Sequence, residues 1–365
     1  MPWNWKLANW PKFEFDPERI SHLERQFLLS VGSASAYLKT IDSQEYHRFI
    51  IEILSLEGIE SSRIEGEILD RESLQSSIKQ HFGLSTLQKL AADKEAGMAQ
   101  LLCDVYESYD APLTHEMLWR WHEMLFKGAS HIAECGKYRT HIEPMQIVSS
   151  RYDVPRVFFE APPSARVLHE MTVFVNWFNS TQGSVLARAA IAHVYFKSIH
   201  PFEDGNGRIG RSLAEKSLSH GVGRPVLIAI SKMLEKRKKE YYSALEKCNR
   251  TLEIQDWVEF FSSVVIEAHE ESMELLHFLI KKSKMLHALS NQINPRQMKV
   301  LLRVFAEGPQ GFQGGLSAKN YIAIAKTTRA TATRDLADLV EKGALVQSGA
   351  LRHTRYRLNL LMLFG

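Results

Sequence analysis

Twelve consecutive residues near the middle of the chain, 200–211, carry side chains suited to chemistry on phosphate groups. Their sequence is HPFEDGNGRIGR. The histidine, His200, belongs to a residue type that titrates near neutral pH and can accept a proton from a hydroxyl group. A carboxylate such as that of Asp204 is a ligand that Mg²⁺ prefers, and arginines such as Arg208 and Arg211 bind phosphate oxygens with two hydrogen bonds. The stretch therefore predicts a site that holds the phosphates of a nucleotide beside a metal ion.

The flanking segments predict how this stretch is positioned. Residues 185–199 are apolar almost all round and contain no Gly or Pro, which predicts a buried helix. Pro201 disfavours helical geometry at the residue before it, so this helix is expected to end near His200. A helical pattern resumes over residues 209–219. The loop between the two helices thus ends at a helix N-terminus, where free N–H groups and the helix dipole favour phosphate.

The glycines of the stretch allow two interpretations. Gly205 and Gly207 are expected to turn the backbone with positive φ and to let it approach a ligand closely. Together with Gly210 they also match GxGxxG, a pattern of dinucleotide-binding folds. That pattern requires a preceding β-strand, whereas the segment before these glycines is predicted to be a helix. The first interpretation is therefore favoured.

The stretch resembles the signature of the Fic (Fic/Doc) family, His-Pro-Phe-x-Asp/Glu-Gly-Asn-Gly-Arg-x-x-Arg, at every defined position. Members of this family typically move AMP from ATP onto a protein hydroxyl. The resemblance implies ATP and Mg²⁺ as cofactors, and as acceptor a Ser, Thr or Tyr of a target protein or of the chain itself. The Doc branch, a kinase, carries Lys where Gly207 stands, so Gly207 favours nucleotidyl transfer. The site that the resemblance implies comprises His200 as general base, Asp204 as the Mg²⁺ ligand, Gly205, Asn206 and Gly207 as the anion hole, and Arg208 and Arg211 on the distal phosphates.

A second motif, Ser61-Ser62-Arg63-Ile64-Glu65-Gly66, lies upstream on a predicted helix. Ser61 and Glu65 are four residues apart and share a helix face. Beside the first motif it resembles the family's inhibitory helix, Ser/Thr-x-x-x-Glu-Gly/Asn, which implies that Glu65 pairs with Arg211 and excludes the γ-phosphate. A solvated helix face that ends at Gly66 is the alternative. In some family members the same glutamate helps to remove AMP, so removal of AMP from a modified protein stays open as an activity.

Between the two motifs, residues 145–159 form two short extended runs around polar turn residues, which predicts a β-hairpin. The hairpin resembles the Fic flap, which holds a target segment over the site by β-strand addition. The resemblance implies Ile147, Val148 and Val157 as docking residues. An ordinary surface hairpin is the alternative.

Length and composition limit the class of protein. A chain of 365 residues with 45% hydrophobic residues suits two or three domains with a substantial core. The sequence has no apolar window long enough to span a membrane, and its first residues lack the apolar core of a signal peptide. The three cysteines are scattered and do not have metal-ligand spacing. We expect a soluble, cytoplasmic protein without membrane association.

The chain as a whole is predicted to be mainly α: a Fic-type helical bundle with a β-hairpin flap, followed by a winged-helix domain. The predicted domains are residues 1–110, a helical region with the inhibitory helix, residues 111–280, the catalytic domain, and residues 291–365, a winged helix-turn-helix. The tryptophan-rich start resembles a small module on many bacterial Fic proteins, and it is expected to pack onto the core or to form a partner surface.

The C-terminal segment supports a second hypothesis of a different class. Residues 291–365 hold 11 Lys and Arg against 4 Asp and Glu. A basic winged helix would present residues of its second helix to DNA and the wing arginines to phosphates. The chain would then be a DNA-binding transcriptional regulator. Winged helices also serve as protein-interaction or dimer modules, so a homodimer is open as well.

Overall fold

The computed structural model describes residues 2–84, 92–148, 157–309 and 311–360. The chain folds into two compact units. The first comprises Met1–Ile41 and Ile50–Glu270, and the second comprises Asp42–Phe49 and Glu271–Gly365. Among the described helices, none is both long enough and apolar enough to cross a membrane.

The first unit is built mainly of helices. They are α1 (Ser21–Leu38), α2 (Ser43–Ile64), α3 (Arg71–His81), α4 (Asp93–Glu107), α5 (His115–Phe126), α6 (Ser164–Ser180), α7 (Val185–Ile199), α8 (Asn206–Val222), α9 (Ile230–Lys236), α10 (Lys238–Cys248) and α11 (Gln255–Leu289). The first residues of α2 and the last residues of α11 belong to the second unit. Before α1 the chain makes two short 3₁₀ turns, Asn4–Lys6 and Pro17–Ile20.

Helix α7 runs through the core of the first unit. It begins after Ser184, whose hydroxyl accepts a hydrogen bond of 3.1 Å from the Ala187 N–H, a common N-cap arrangement. Nearly all of its residues are buried, as the sequence predicts. It packs along α8, and the Trp257 indole of α11 donates to the Ala190 carbonyl at 2.8 Å. The helix that ends at the histidine motif is thus fixed by the core on all sides.

A β-hairpin interrupts the helices between α5 and α6. Its strands are β1 (Gln146–Val148) and β2 (Val157–Glu160), which pair antiparallel. Gln146 lies opposite Glu160 and Ile147 opposite Phe159. The hairpin and the mainly helical fold are confirmed. Residues 149–156, to which the sequence assigns the tip of the hairpin, lie outside the described residues.

The second unit contains a helix-turn-helix and a second hairpin. Its elements after α11 are α12 (Pro295–Phe305), α13 (Ala318–Ala325), α14 (Arg329–Glu341), β3 (Leu345–Ser348) and β4 (Arg355–Leu358). Helix α13 ends at Lys326, whose φ of 50° turns the chain into α14. Leu316 forms an antiparallel bridge with Tyr356 of β4. This order of elements is the one expected from the sequence, and the interpretation as a winged helix stays a prediction.

Several element boundaries differ from the sequence-based expectation. A single helix is predicted over residues 232–250, but Arg237 leaves helical geometry and separates α9 from α10. Its guanidinium instead contacts Glu240 and Glu267. Ser164 is not the cap of α6 but its first residue, and its hydroxyl donates to the His141 carbonyl at 2.6 Å. Helices α1 and α3 are not predicted.

The predicted linker between the domains also differs from the structure. The sequence places a polar linker from Lys281 to Pro295, but α11 continues to Leu289. The reason is that Met285 and Leu289 are 1% and 2% exposed and belong to the core of the second unit. The charged residues Lys281 and Lys284, which precede Met285, are exposed on the outer face of this amphipathic helix.

Candidate active site

His200 stands at the junction between α7 and the loop. It takes the left-handed conformation, with φ 50° and ψ 61°, and its N–H still donates to the Phe196 carbonyl at 3.0 Å. Its Nδ1 lies 3.3 Å from the Lys197 carbonyl, which assigns the proton to Nδ1 and leaves Nε2 with a lone pair. Burial, with the positive charges of Lys197 and Arg139 nearby, lowers the pKa of His200 to about 3. The imidazole is therefore neutral at physiological pH and can accept a proton at Nε2.

Arg139 fixes the backbone around this histidine. It is 2% exposed, and its guanidinium donates to the carbonyls of His200 at 2.8 Å and Pro162 at 2.6 Å, and to the Ser164 hydroxyl at 2.9 Å. Its own N–H donates to the Pro201 carbonyl at 2.9 Å. The sequence does not indicate a role for Arg139, because its partners include backbone groups far along the chain. No local pattern signals the role, since the acidic residues Glu134 and Glu143 are much nearer in sequence than these partners.

The loop after His200 closes on itself. The Asn206 side chain accepts from the Phe202 N–H at 3.0 Å and donates to the Phe202 carbonyl at 2.8 Å. Gly205 has φ 77°, as expected, and a Cβ there would be 2.6 Å from the ring of Phe126. The expectation of positive φ is wrong for Gly207, which lies in the first turn of α8. Asn206 thus holds the loop, and α8 points its N-terminal N–H groups towards the site.

Asp204 suits the role of Mg²⁺ ligand that the family resemblance implies. Its side chain is 54% exposed, and its Oδ1 accepts from the Gly205 N–H at 2.6 Å, so that Oδ2 remains accessible. Arg208 Nη2 lies 3.8 Å from Oδ2. Within the described residues no three His, Cys, Asp or Glu side chains converge as a metal site. One accessible carboxylate fits Mg²⁺, which usually takes one or two carboxylates and fills its other positions with water and phosphate oxygens.

Arg211 is enclosed by the upstream motif, as the sequence predicts. The guanidinium donates from Nε to the Ser61 hydroxyl at 2.9 Å, from Nη2 to the Ser61 carbonyl at 2.8 Å, and from Nη1 to Glu65 Oε1 at 2.8 Å. Its side chain is 1% exposed. Helix α2 ends at Ile64, and Gly66 has φ 85°, as a glycine after a helix end often does. Ser61 and Glu65 are thus brought onto the same arginine.

Glu65 also covers the start of α8. A Cβ added to Gly207 would lie 1.8 Å from Glu65 Oε1. Burial alone would raise the pKa of Glu65, but the charges of Arg211 and Lys197 outweigh it and lower the pKa to about 2. The carboxylate is therefore ionised and rests against the glycine to which the sequence assigns the anion hole.

A second carboxylate, Glu67, occupies the other arginine of the motif. Glu67 Oε2 accepts from Arg208 Nη1 at 2.6 Å. The Arg208 guanidinium lies over the Phe126 ring, 4.8 Å from its centroid, and its side chain is 7% exposed. Sequence reasoning missed Glu67, which follows Gly66 directly. Each arginine of the histidine motif thus has its own acidic partner beyond the end of α2.

Helix α2 also carries a buried acid, Glu57, which connects it to the first turn of α9. Glu57 is 4% exposed and accepts hydrogen bonds from the Ser231 N–H at 2.8 Å and from the Ser231 hydroxyl. Burial raises the pKa of Glu57, and burial together with Glu57 raises that of Glu215 on α8. The charge of Arg211 acts in the opposite direction on the pKa of Glu57. Neither carboxyl group was singled out from the sequence.

The hairpin residues Ile147, Val148 and Val157 are partly exposed. Their exposed fractions are 38%, 50% and 37%. Val148 and Val157 are paired with each other, and Ile147 lies at the neighbouring position of β1. Apolar side chains on an accessible strand are what a strand-addition site offers to a partner. Their role in docking stays a prediction.

Comparison with known sequences finds two family models that match separate segments of the chain. Residues 112–218 match the Fic/DOC family, and residues 3–84 match a domain of unknown function, DUF4172. The segment that carries the histidine motif is therefore a Fic/DOC domain, and the segment before it resembles DUF4172.

Curated relatives match part of the chain. The chain is 29% identical to a protein named Protein adenylyltransferase Fic from Drosophila grimshawi over 172 residues, which is 46% of this chain and 31% of the relative. It is 31% identical to the protein of that name from Aedes aegypti over 126 residues, 33% of this chain and 24% of the relative. The matches thus span a third or less of the length of these relatives.

Solved structures share the fold. A Fic family protein from Desulfovibrio desulfuricans G20 has a TM-score of 0.56 at 22% identity and covers 95% of this chain and 98% of its own. Fic-1 from C. elegans, residues 134–508, has a TM-score of 0.51 at 21% identity, covering 70% of this chain and 73% of its own. These likenesses show that the chain adopts the Fic fold.

Proposed function

We propose that this protein transfers AMP from ATP to a hydroxyl of a protein substrate, and that α2 and the residues after it hold the site inactive. The observation that carries the proposal is the placement of Glu65. An ionised carboxylate lies on Gly207 and Arg211, at the start of a helix and within a set of groups suited to phosphate. A carboxylate in that position stands in for the anionic ligand that the site is built to hold.

His200 is placed for the proton transfer. In the proposed reaction a target hydroxyl oxygen attacks the α-phosphorus of ATP, the bond from that phosphorus to the bridging oxygen breaks, and pyrophosphate leaves. The hydroxyl proton passes to Nε2 of His200, which is unprotonated because Nδ1 faces the Lys197 carbonyl. Phosphate charges near the imidazole would raise its low pKa and strengthen it as a base.

Asp204, through Mg²⁺, and the two arginines Arg208 and Arg211 would bind the phosphates of ATP. Asp204 would hold Mg²⁺, which neutralises phosphate charge when bound. Arg208 Nε is buried and, among the described residues, has no hydrogen-bond partner. It fits a donor reserved for a phosphate oxygen. Once Glu65 and Glu67 withdraw, Nη1 of Arg211 and Nη1 of Arg208 would each be released to donate to the nucleotide.

The hairpin would supply the protein substrate. Ile147, Val148 and Val157 would contact an extended target segment that adds to the sheet and brings its hydroxyl to His200. The acceptor is a Ser, Thr or Tyr, on another protein or on a second copy of this chain.

The test is transfer of label from α-labelled ATP with Mg²⁺, in lysate and with the protein alone. Wild type, Glu65→Gly, His200→Ala and the double variant are compared. Labelling that rises in Glu65→Gly and disappears in the double variant supports the proposal. If Glu65→Gly labels nothing although it binds ATP, the proposal fails. Loss of label from a previously modified protein, dependent on Glu65, would instead indicate removal of AMP.

A second candidate function for the second unit is DNA binding. The exposed face of α14 carries Arg329, Thr333 and Arg334 after a short turn, as a recognition helix does. The second hairpin, β3–β4, adds Arg355 and Arg357, whereas the side chain of Arg352 lies outside the described residues. Retention on duplex DNA that falls with salt, and that Arg329→Ala with Arg334→Ala weakens, supports this function. Equal retention of the wild type and this double variant contradicts it.

A further inference from the structure

The tryptophan-rich start of the chain packs against the hairpin. Trp3 and Trp5 are buried and form one apolar cluster with Phe159 and Ala161. The rings of Trp3 and Phe159 meet edge to face, with centroids 5.5 Å apart and planes at 77°. The N-terminal segment therefore packs against β2 and supports it.

The same segment hydrogen-bonds to the outer edge of β2. The Ala161 N–H donates to the Met145 carbonyl at 2.9 Å, so alternate residues of β2 face β1, and the carbonyls of Phe158 and Glu160 point away from it. The Trp5 indole donates to the Glu160 carbonyl at 2.7 Å. The Asn249 amide donates to the Phe158 carbonyl at 3.1 Å. Both outward carbonyls of β2 are thus already paired.

Asn4 connects the outer edge of β2 to the helix that presents His200, the proposed general base. It is 0% exposed, its N–H donates to the Asn249 carbonyl at 2.8 Å, and its side chain donates to the Ser198 hydroxyl at 2.8 Å. Ser198 lies two residues before His200 on α7. A single turn, Asn4–Lys6, therefore holds both the hairpin and the end of the helix that presents the base.

We propose that the N-terminal segment Trp3–Trp5 positions the docking hairpin, capping the outer edge of β2 so that a target segment adds to the edge of β1. The proposal rests on the proposed AMP transfer, for which the hairpin is the docking site. It assigns part of the DUF4172 region a role in recognising the protein substrate. The exposed side chains of Ile147 and Val148 on β1 agree with this choice of edge.

The capping contact is tested by hydrogen exchange of the hairpin amides in otherwise unchanged protein. Trp5→Phe removes the indole N–H and keeps an aromatic ring. We expect exchange at Phe159 and Ala161 to become about five times faster, the effect of losing one hydrogen bond. Trp10→Phe is the matched control, since the Trp10 indole donates to Glu170 on α6 at 2.9 Å. Equal exchange in the two variants would overturn the capping role.

The effect on docking is tested by AMP transfer in the Glu65→Gly background, with the His200→Ala chain as acceptor and α-labelled ATP as donor. Trp5→Phe should slow transfer about five-fold at an unchanged Kd for ATP, while Trp10→Phe should not. An unchanged rate in Trp5→Phe overturns the role in docking. If Glu65→Gly also labels no protein in lysate, the proposed function fails, and the exchange experiment still decides whether Trp5 holds the hairpin.

The choice of edge is tested at Gln146. It lies opposite Glu160, so its N–H points away from β2. Gln146→Pro removes that N–H without breaking a backbone bond between the strands, and Gln146→Ala keeps it. Both variants lose the side-chain hydrogen bond of 2.9 Å from Gln146 to Glu160, so the comparison isolates the backbone N–H. We expect the proline variant alone to lose transfer to the acceptor chain, about five-fold. Equal rates in the two variants would contradict addition at β1.

Discussion

Glu65 Oε1 lies almost where a side chain on Gly207 would begin, 1.8 Å from the position of an added Cβ, while it accepts a hydrogen bond of 2.8 Å from Arg211. One carboxylate oxygen therefore covers the glycine and engages the arginine at once. This arrangement requires the absence of a side chain at position 207, and the proposed function requires it too, for the phosphate that would replace the carboxylate.

Gly207→Ala should remove transfer even when Glu65 is gone. In the Glu65→Gly background its methyl group occupies the space we assign to phosphate, and we expect the rate to fall about a hundredfold, as when an anion hole is disturbed. The measurement is the labelling rate with α-labelled ATP. Gly210→Ala is the control, because a Cβ there meets His193 at 3.3 Å and needs only a small shift. Similar rates in the two variants would contradict the assignment.

Glu67 should contribute to inhibition independently of Glu65. Glu67→Gln weakens the contact with Arg208, and we expect transfer to rise about five-fold, with a larger rise when it is combined with Glu65→Gly. Labelling rates at limiting ATP measure this. Glu60→Gln is the matched control, since Glu60 pairs with Arg63 and not with the motif. If Glu67→Gln behaves like Glu60→Gln, Glu67 has no regulatory role.

Arg139→Gln should destabilise the fold through the loop that carries His200. The substitution leaves the carbonyls of His200 and Pro162 without their donor, which we expect to lower the free energy of unfolding by about 3 kcal/mol. Urea unfolding measures the loss. Arg120→Gln, which breaks an exposed pair with Asp104, should cost about 1 kcal/mol or less. Equal losses would show that Arg139 is not a structural centre of the loop.

Inhibition should not depend on pH in the physiological range. The pKa of Glu65 is about 2, and Glu65 holds the pKa of Arg211 above its usual range, so both groups remain charged. The contribution of this pair to folding is complete above about pH 4.5 and is lost as the pH falls towards 2. The ratio of Glu65→Gly to wild-type rates should therefore be constant from about pH 6 to about pH 9. A ratio that falls as the pH rises through this range would point instead to a buried carboxyl such as Glu57 or Glu215.

Local patterns predicted part of the backbone around the site. The apolar run of α7 and Pro201 place the end of that helix at His200 correctly, because these depend on local backbone preferences. The helical pattern after the loop predicts α8, but the helix begins at Asn206 and not at residue 209. The spacing of Ser61 and Glu65 predicts that they share a face, which the structure confirms. That they meet Arg211 came from a resemblance to a family and not from spacing.

Contacts between distant segments were not predictable in the same way. Arg139, Glu67 and Trp5 act on partners far away in the sequence, and nothing in their neighbours indicates which backbone group or side chain they meet. The extension of α11 to Leu289 was missed because its last turns are amphipathic only with respect to the second unit. Tertiary packing decided these cases against local composition.

Glu65 directly follows α2, so under the proposed function the inhibitor would be part of the same molecule as the site that it blocks. Its local concentration is set by the length and stiffness of the chain, so dilution of the protein does not release it. If the inhibitor were a separate molecule, its competition with ATP would depend on the concentrations of inhibitor and ATP. For a tethered carboxylate only the concentration of ATP varies. The fraction of active molecules would then follow the level of ATP alone, until a partner or a structural change moves α2.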